Sequence, residues 1–391
     1  MSTLITRVGE LMTVDDEDRV LRDAAVVIDG DRIAWIGAAS EAPAADERVD
    51  ADGRALLPGW VDSHTHLVFD GDRTAEFEAR MAGQSYAAGG IAVTRDATRE
   101  ASDDRLAGLL AARVRAARAQ GTTWIETKTG YGLDISSEQR SARIAAAGVD
   151  DVTFLGAHLV PAGRDADEYV REVCGPMLEA VRPYVSWADV FCERGAFTPE
   201  QSREVLTAAR AAGLGLRVHG NQLGHGEGIL LAVELGAASV DHCNFVSDAD
   251  LEALAGGSTV ATVLPACDLS TRAPLAPARR LLDAGVEVAI ASNGNPGTSY
   301  TTSMPFCVAT AVLQMGLSVA EAVRAATRGG AIALGRASGD GAVGSIAVGN
   351  RADLHLLDAP SATHLAYRPG MPLTAGVWKD GRRVAAPLVA R

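Results

Sequence analysis

Leu57-Pro58-Gly59-Trp60-Val61-Asp62-Ser63-His64-Thr65-His66 is an apolar run that breaks directly into two histidines one residue apart. In an extended segment, residues i and i+2 point to the same side. Both imidazoles can therefore reach one cation lying just beyond a strand end. Taken alone, the pair reads equally well as two exposed loop histidines. Further ligands downstream have to decide between the two readings.

Downstream, the chain settles into a rhythm of apolar strand, polar break and helix. Eight strands are expected, at about Leu56–Ser63, Thr122–Lys128, Val152–His158, Trp187–Phe191, Gly215–His219, Ala238–His242, Thr259–Leu264 and Val286–Ser292. Helices separate most of them. Asp104 to Gln120 carries Leu106, Leu109 and Leu110 at helical spacing. Thr198-Pro199-Glu200-Gln201 offers an N-cap, a proline at the first position and a glutamine at the third. Ser247 with Asp250, and Ser318 with Glu321, repeat the capping signature. Eight such units predict a parallel (β/α)8 barrel of TIM type.

The two ends of the chain read differently. Leu4-Ile5, Ala25-Val26-Val27-Ile28 and Arg32-Ile33-Ala34-Trp35-Ile36 near the start, and Ala352 to Leu357 and Gly376 to Arg382 near the finish, are short strands punctuated by Asp-Gly turns. Neither piece can bury a good core alone, so residues 1–57 and 345–391 are expected to pair into one small β-sandwich domain beside a barrel of residues 58–344.

Composition narrows the function class. With 391 residues, 47% hydrophobic and 22% charged, the chain is ordinary for a globular protein. A formal net charge of -14 without a basic stretch argues against nucleic acid. Neither a signal-like N-terminus nor a bilayer-length apolar run is seen, which predicts a cytoplasmic protein with no membrane partner. The five cysteines are scattered, with no CxxC pair, and read as buried free thiols.

Barrel active sites form at the C-terminal ends of the strands. His64 and His66 follow the first strand, Lys128 ends the second, His158 the third, His219 the fifth and His242 the sixth. Five of the eight histidines thus fall on one rim, which favours the metal reading of the opening pair. His64, His66 and His219 would supply three neutral nitrogen donors and leave a position open. A metal there would lower the pKa of its water and polarise a carbonyl, chemistry suited to an amide-like bond. His242 is placed as general base or holder of the attacking water, with a hydrogen bond to a neighbouring loop as the structural alternative.

These residues carry a resemblance. The stretch Pro58 to His66, the terminal strands and the eight-unit core resemble the amidohydrolase superfamily. More narrowly, His66 to Arg73, Lys128 to Leu133, Phe154 to His158, Val190 to Phe197 and Asn295 to Ser299 resemble the imidazolonepropionase family, across nearly the whole chain. The resemblance implies hydrolysis of the ring of imidazolonepropionate to N-formimino-glutamate in histidine degradation, with one divalent metal, zinc or iron, and a homodimer. By position, His64, His66 and His219 correspond to metal histidines. Arg73, Tyr131, His158 and Asn295 correspond to substrate-holding residues, an arginine suiting a propionate carboxylate. Gln222 falls near the scissile bond, and His242 corresponds to the histidine that assists the attacking water.

One departure stands out. Where the family has an aspartate that ligates the metal and accepts a proton, this chain reads Ser292-Asn293-Gly294-Asn295-Pro296-Gly297. The amide oxygen of Asn293 can touch a metal but is neutral and cannot accept the proton. Asp268, in the unusual Pro265-Ala266-Cys267-Asp268-Leu269, is a candidate replacement carboxylate. His225 lines the pocket or sits in a solvated loop, while His355 and His364 are expected to be structural. Lys128 resembles the position of no carboxylated lysine in this family, and Gly89-Gly90 reads as a flexible link. Two other function classes stay open: a divergent paralogue acting on another small cyclic amide or imidazole-like substrate, not necessarily by hydrolysis, and a catalytically inactive ligand-binding protein.

Overall fold

The computed structural model describes residues 1–83 and 90–385; Gly89 of the Gly89-Gly90 pair and residues 386–391 of the expected terminal domain lie outside them. Eight strands hydrogen-bonded in sequence order form the central sheet: β1 (Trp60–Asp62), β2 (Thr122–Lys128), β3 (Asp151–Ala157), β4 (Trp187–Cys192), β5 (Gly215–Gly220), β6 (Ser239–His242), β7 (Val260–Val263) and β8 (Val288–Ile290). The ladders from β2 to β8 are all parallel. Every residue of β3, β6 and β7 is buried, as expected where helices cover one face and the barrel interior the other.

The circle closes beyond the strand ends. Thr65 bridges Gly294 in parallel, His66 N donates to Gly294 O at 2.9 Å, and Asn293 N donates to His64 O at 3.0 Å. The His-x-His segment and the Asn293 segment are therefore neighbouring edges of one barrel.

Helix starts obey local chemistry. Thr198, Ser247 and Ser318 each cap a helix reciprocally, through Gln201, Asp250 and Glu321. Each cap contributes about 1 kcal/mol. The helix expected from Asp104 to Gln120 runs Asp103–Arg118.

The strand expected at Leu56–Ser63 is in fact two. Ala55–Pro58 pairs with Leu354–Leu357 in another sheet, whereas Trp60–Asp62 enters the barrel. Gly59 makes the step between them. A Cβ there would lie 2.2 Å from Thr123 Oγ1 and 2.3 Å from Thr123 Cγ2, so glycine leaves room for the short, branched Thr123 side chain.

The chain divides into two compact units: Met1–Ser63 with Arg115–Trp124 and Ser303–Arg391, and His64–Val114 with Ile125–Thr302. In the first unit a four-stranded sheet, from Ser2–Val8, Ala24–Asp29, Arg32–Ala38 and Glu47–Asp50, accompanies a six-stranded sheet built from both ends of the chain. Ile5, Val26, Ile28 and Ile33 of the former and Leu11, Leu56, Leu354 and Trp378 of the latter share one buried cluster. That is sandwich packing. The turn at Asp380-Gly381 has φ of 53° and 71°, as a type I′ hairpin requires. The second unit holds every histidine of the rim. Among the described residues no helix is long and apolar enough to cross a membrane, and the cysteines are free.

Candidate active site

The second unit contains a narrow, open-mouthed cavity lined by His66, Arg73, Ile91, Tyr131, His158, Phe191, His219, Gln222, His242, Asn293, Asn295 and Thr298. The barrel brings the ends of β2 to β6 and the segment after β8 to one mouth, which is why residues so far apart in sequence share it.

Four histidines converge below this mouth. Nitrogens of His64, His219 and His242 lie within 4.8 Å of one another, and His66 Nε2 lies 3.3 Å from His64 Nε2. The sequence reading set His242 apart from the ligand trio; the geometry brings it equally close, with its ring centroid 5.4 Å from that of His219. His158 stacks on His66 at 5.7 Å and 21°, and its Nδ1 meets Gly130 O at 2.9 Å.

Two carboxylates fix how the rings face. Asp241 Oδ2 lies 2.6 Å from His64 Nδ1, and Asp189 Oδ1 lies 3.0 Å from His219 Nδ1. An ionised carboxylate only accepts, so both rings carry their proton on Nδ1 and leave the Nε2 lone pair for a cation. Burial pushes the His64 pKa down to about 3, with the Lys128 ammonium adding to the effect and Asp241 opposing it. Burial likewise holds His66 and His242 well below the ordinary histidine value, and His158 at about 4. For Asp241, burial opposes ionisation but is outweighed by Arg217 and His64, so its pKa falls below the usual carboxylate range. At neutral pH the shifted rings are uncharged donors.

Whether these residues fit a divalent metal can be judged from the unpartnered atoms. Asn293 Oδ1 is buried without a hydrogen-bond partner among the described residues, as are Nδ1 of His66 and of His242. Neutral nitrogens converging beside an unpartnered amide oxygen, oriented by carboxylates behind them, match the donor chemistry of a catalytic metal site. The residues fit the group.

Other expected residues are placed less simply. Arg73 lines the cavity, yet its Nε and Nη2 donate to Glu76 at 2.8 and 2.7 Å, an interaction the sequence did not signal. Asn295 uses its amide within its own loop, donating to Asn293 O at 2.6 Å and Thr298 Oγ1 at 2.8 Å and accepting from the amides of Gly297 and Thr298 at 2.9 and 2.8 Å. Tyr131 is 3% exposed, and its ring centroid lies 5.6 Å from that of His158. The Gln222 backbone amide is held by Glu193 Oε1, while its Nε2 lies 3.9 Å from Cys267 Sγ. Burial raises the Cys267 thiol to about 12, so it stays neutral.

Asp268 does not supply the missing carboxylate. It braces two loops, accepting from Asn244 Nδ2 at 2.7 Å and Ala276 N at 3.1 Å. His225 is an exposed loop residue whose ring lies 5.7 Å from that of Phe245. His355 is buried on Thr374 at 3.0 Å and His364 bonds Ser361 O at 3.2 Å.

Comparison with known proteins agrees with the site. The model of the amidohydrolase family matches residues 55–384. Imidazolonepropionase from Arthrobacter sp. (strain FB24) is 71% identical over 98% of this chain and 100% of its own length. The chain belongs to the amidohydrolase family, among the imidazolonepropionases. The imidazolonepropionase of Streptomyces coelicolor is 55% identical over 98% of this chain and 99% of its own. Among solved structures, atrazine chlorohydrolase from Arthrobacter aurescens TC1 complexed with zinc aligns with a TM-score of 0.74 at 20% identity, covering 100% of this chain and 97% of that one. An adenosine deaminase from Xanthomonas campestris with bound zinc aligns with a TM-score of 0.73 at 20% identity, covering 98% and 93%. These two likenesses show the shared barrel fold. The imidazolonepropionase assignment rests on the full-length relatives.

Proposed function

We propose that the chain hydrolyses imidazolonepropionate to N-formimino-glutamate, a step of histidine degradation. Identity of 71% to an imidazolonepropionase along nearly the whole chain carries this reading, and the histidine-lined cavity supports it. His64, His66 and His219 would hold one divalent ion, zinc or iron, with Asn293 Oδ1 beside them. Such an ion supplies Lewis acidity that acidifies water and polarises the ring carbonyl.

The chain's own residues do the rest. Arg73 keeps its Nη1 edge for the propionate carboxylate while Glu76 fixes the other edge. Tyr131 and His158 hold the ring from one side, and Gln222 approaches it from another. His242, neutral and with an unpartnered Nδ1, orients the attacking water and takes its proton, since the Asn293 amide cannot. Water oxygen bonds to the carbonyl carbon, the ring C–N bond breaks, and the proton passes to the departing nitrogen. A cytoplasmic location, read from the sequence, and a homodimer, resting on the resemblance, complete the reading.

Asn293 favours a second reading, a relative recruited to another cyclic amide or to binding alone. One assay separates them: metal content and imidazolonepropionate turnover in the native chain and in Asn293→Asp. Turnover in the native chain is expected, with the variant gaining about tenfold or more in kcat from a second proton acceptor. A native chain that binds metal and leaves imidazolonepropionate untouched would sink the first reading.

A further inference from the structure

The Arg73 guanidinium and its partner Glu76 lie between two pieces of bare backbone. A Cβ built on Gly297 would fall 2.1 Å from Arg73 Nη1 and 2.4 Å from Cζ, and one built on Gly90 would fall 2.3 Å from Arg73 Nη2 and overlap Glu76 Oε2. Neither glycine is needed for its conformation. Gly90 has φ of -64° and ψ of -15°, ordinary helical values, and Gly297 lies outside the left-handed region. What both supply is space for the guanidinium. The Gly297 wall is itself fixed on two sides: its amide donates to Asn295 Oδ1 at 2.9 Å, and its carbonyl accepts from Arg80 Nη2 at 2.7 Å. Arg80 is buried and also donates to Ser270 O at 3.1 Å, so the wall is tied to the helix Pro265–Thr271.

We propose that Gly297 and Gly90 are specificity-determining residues: the slot between them sets where the Arg73 guanidinium stands, and so how well the cavity takes a carboxylate. Glu76 accepts from Nε and Nη2, which leaves Nη1, the atom beside Gly297, for the ligand. Two-point recognition of a carboxylate by a planar fork tolerates little displacement. The three atoms nearest the Gly297 Cβ position all belong to Arg73, and those nearest the Gly90 position to Arg73 and Glu76. A methyl group on either glycine would therefore push the guanidinium aside without opening the core, because it meets the far end of a long, flexible side chain. Carboxylate binding falls while the fold holds. A ligand with the same ring and an uncharged tail loses little by the shift.

This inference rests on the reading of Arg73 as holder of the propionate carboxylate, and binding measurements test the two apart. Titration calorimetry uses imidazolepropionate, which carries the carboxylate on a ring without the scissile carbonyl, and its uncharged propionamide. The chains are the native one, Gly297→Ala, Gly90→Ala, Arg73→Met and Arg73→Met/Gly297→Ala. The native chain should prefer the carboxylate. Gly297→Ala should weaken that ligand about ten- to a hundredfold, the scale of a charge-assisted hydrogen bond, and the propionamide by less than about threefold. Gly90→Ala should act in the same direction, and both variants should unfold at the native midpoint. On the Arg73→Met background Gly297→Ala should add nothing, because substitutions that act through one group are not additive. Unchanged discrimination in either alanine variant, or a further loss of equal size on the Arg73→Met background, would overturn the proposal while leaving the Arg73 reading intact. Should Gly297→Ala not fold, Gly90→Ala, on backbone that suits alanine, decides by the same comparison. A native chain without the preference, or an Arg73→Met chain that keeps it, overturns both.

Discussion

His242 adopts φ of 83° and Cys243 follows at 52°, two consecutive non-glycine residues in the left-handed half of conformational space. Such backbone costs about 1–3 kcal/mol per residue, and it falls at the end of β6, where the His242 ring centroid lies 5.4 Å from that of His219 on β5. His242→Ala should therefore lower kcat by about a hundredfold or more with bound metal unchanged. Loss of metal in step with activity would instead make His242 a ligand. Asn293, at φ of 53°, occupies a conformation that Asn and Asp both tolerate; Asn293→Asp should fold and test chemistry rather than backbone. The presence of an amide at residue 293 was plain in the sequence. That its oxygen would have no hydrogen-bond partner among the described residues was not, because this depends on where Thr298 and the loop around it settle.

At the scale of elements, the loop after β2 is held by a carboxylate from the next helix. Glu138, on Ile135–Ala146, accepts from Gly132 N at 2.7 Å and Leu133 N at 2.9 Å through Oε1, and from Gly130 N at 3.0 Å through Oε2. It lies in the first turn, where an anion is also favoured by the helix dipole. The clamp fixes Tyr131, which lies between these donors. In Glu138→Gln one oxygen becomes an NH2 group facing N–H donors, so the loop should loosen. The expected result is a KM raised about tenfold with a smaller change in kcat, the signature of lost substrate binding; an unchanged KM would detach the clamp from the site. The Lys128 to Leu133 motif was legible, whereas Glu138 looked like any acidic residue near a helix start. Charged residues inside apolar strands, Glu126, Asp189, Arg217 and Asp241, did offer a signal, since a buried charge demands a partner.

For the molecule as a whole, several histidines are buried uncharged, which couples stability to pH. Burial lowers the His158 pKa to about 4 and the His355 pKa to about 3, from an ordinary value near 6.5. Below pH 6.5 the unfolded chain binds protons that the folded chain refuses, so this stability is full above about pH 6.5 and lost progressively as pH falls toward 4. Each such residue contributes a slope of at most about 1.4 kcal/mol per pH unit. Denaturant unfolding at pH 7.5, 6 and 4.5 should show the fall, and His355→Gln, in the six-stranded sheet, should make it shallower. Parallel slopes for the two chains would contradict the assignment.

By itself the sequence determined the alternation of strands and helices, the helix caps, the short terminal strands and the placing of histidines at strand ends. All of these follow from periodicity and from side chains acting on backbone a few residues away. Only the tertiary structure decided which carboxylate meets which histidine, His64 finding Asp241 177 residues later, and that Glu76 shares Arg73 while Asp268 turns to Asn244. Such pairings depend on the register of neighbouring strands and the closure of the barrel, which bring distant side chains together and leave no local mark in the chain.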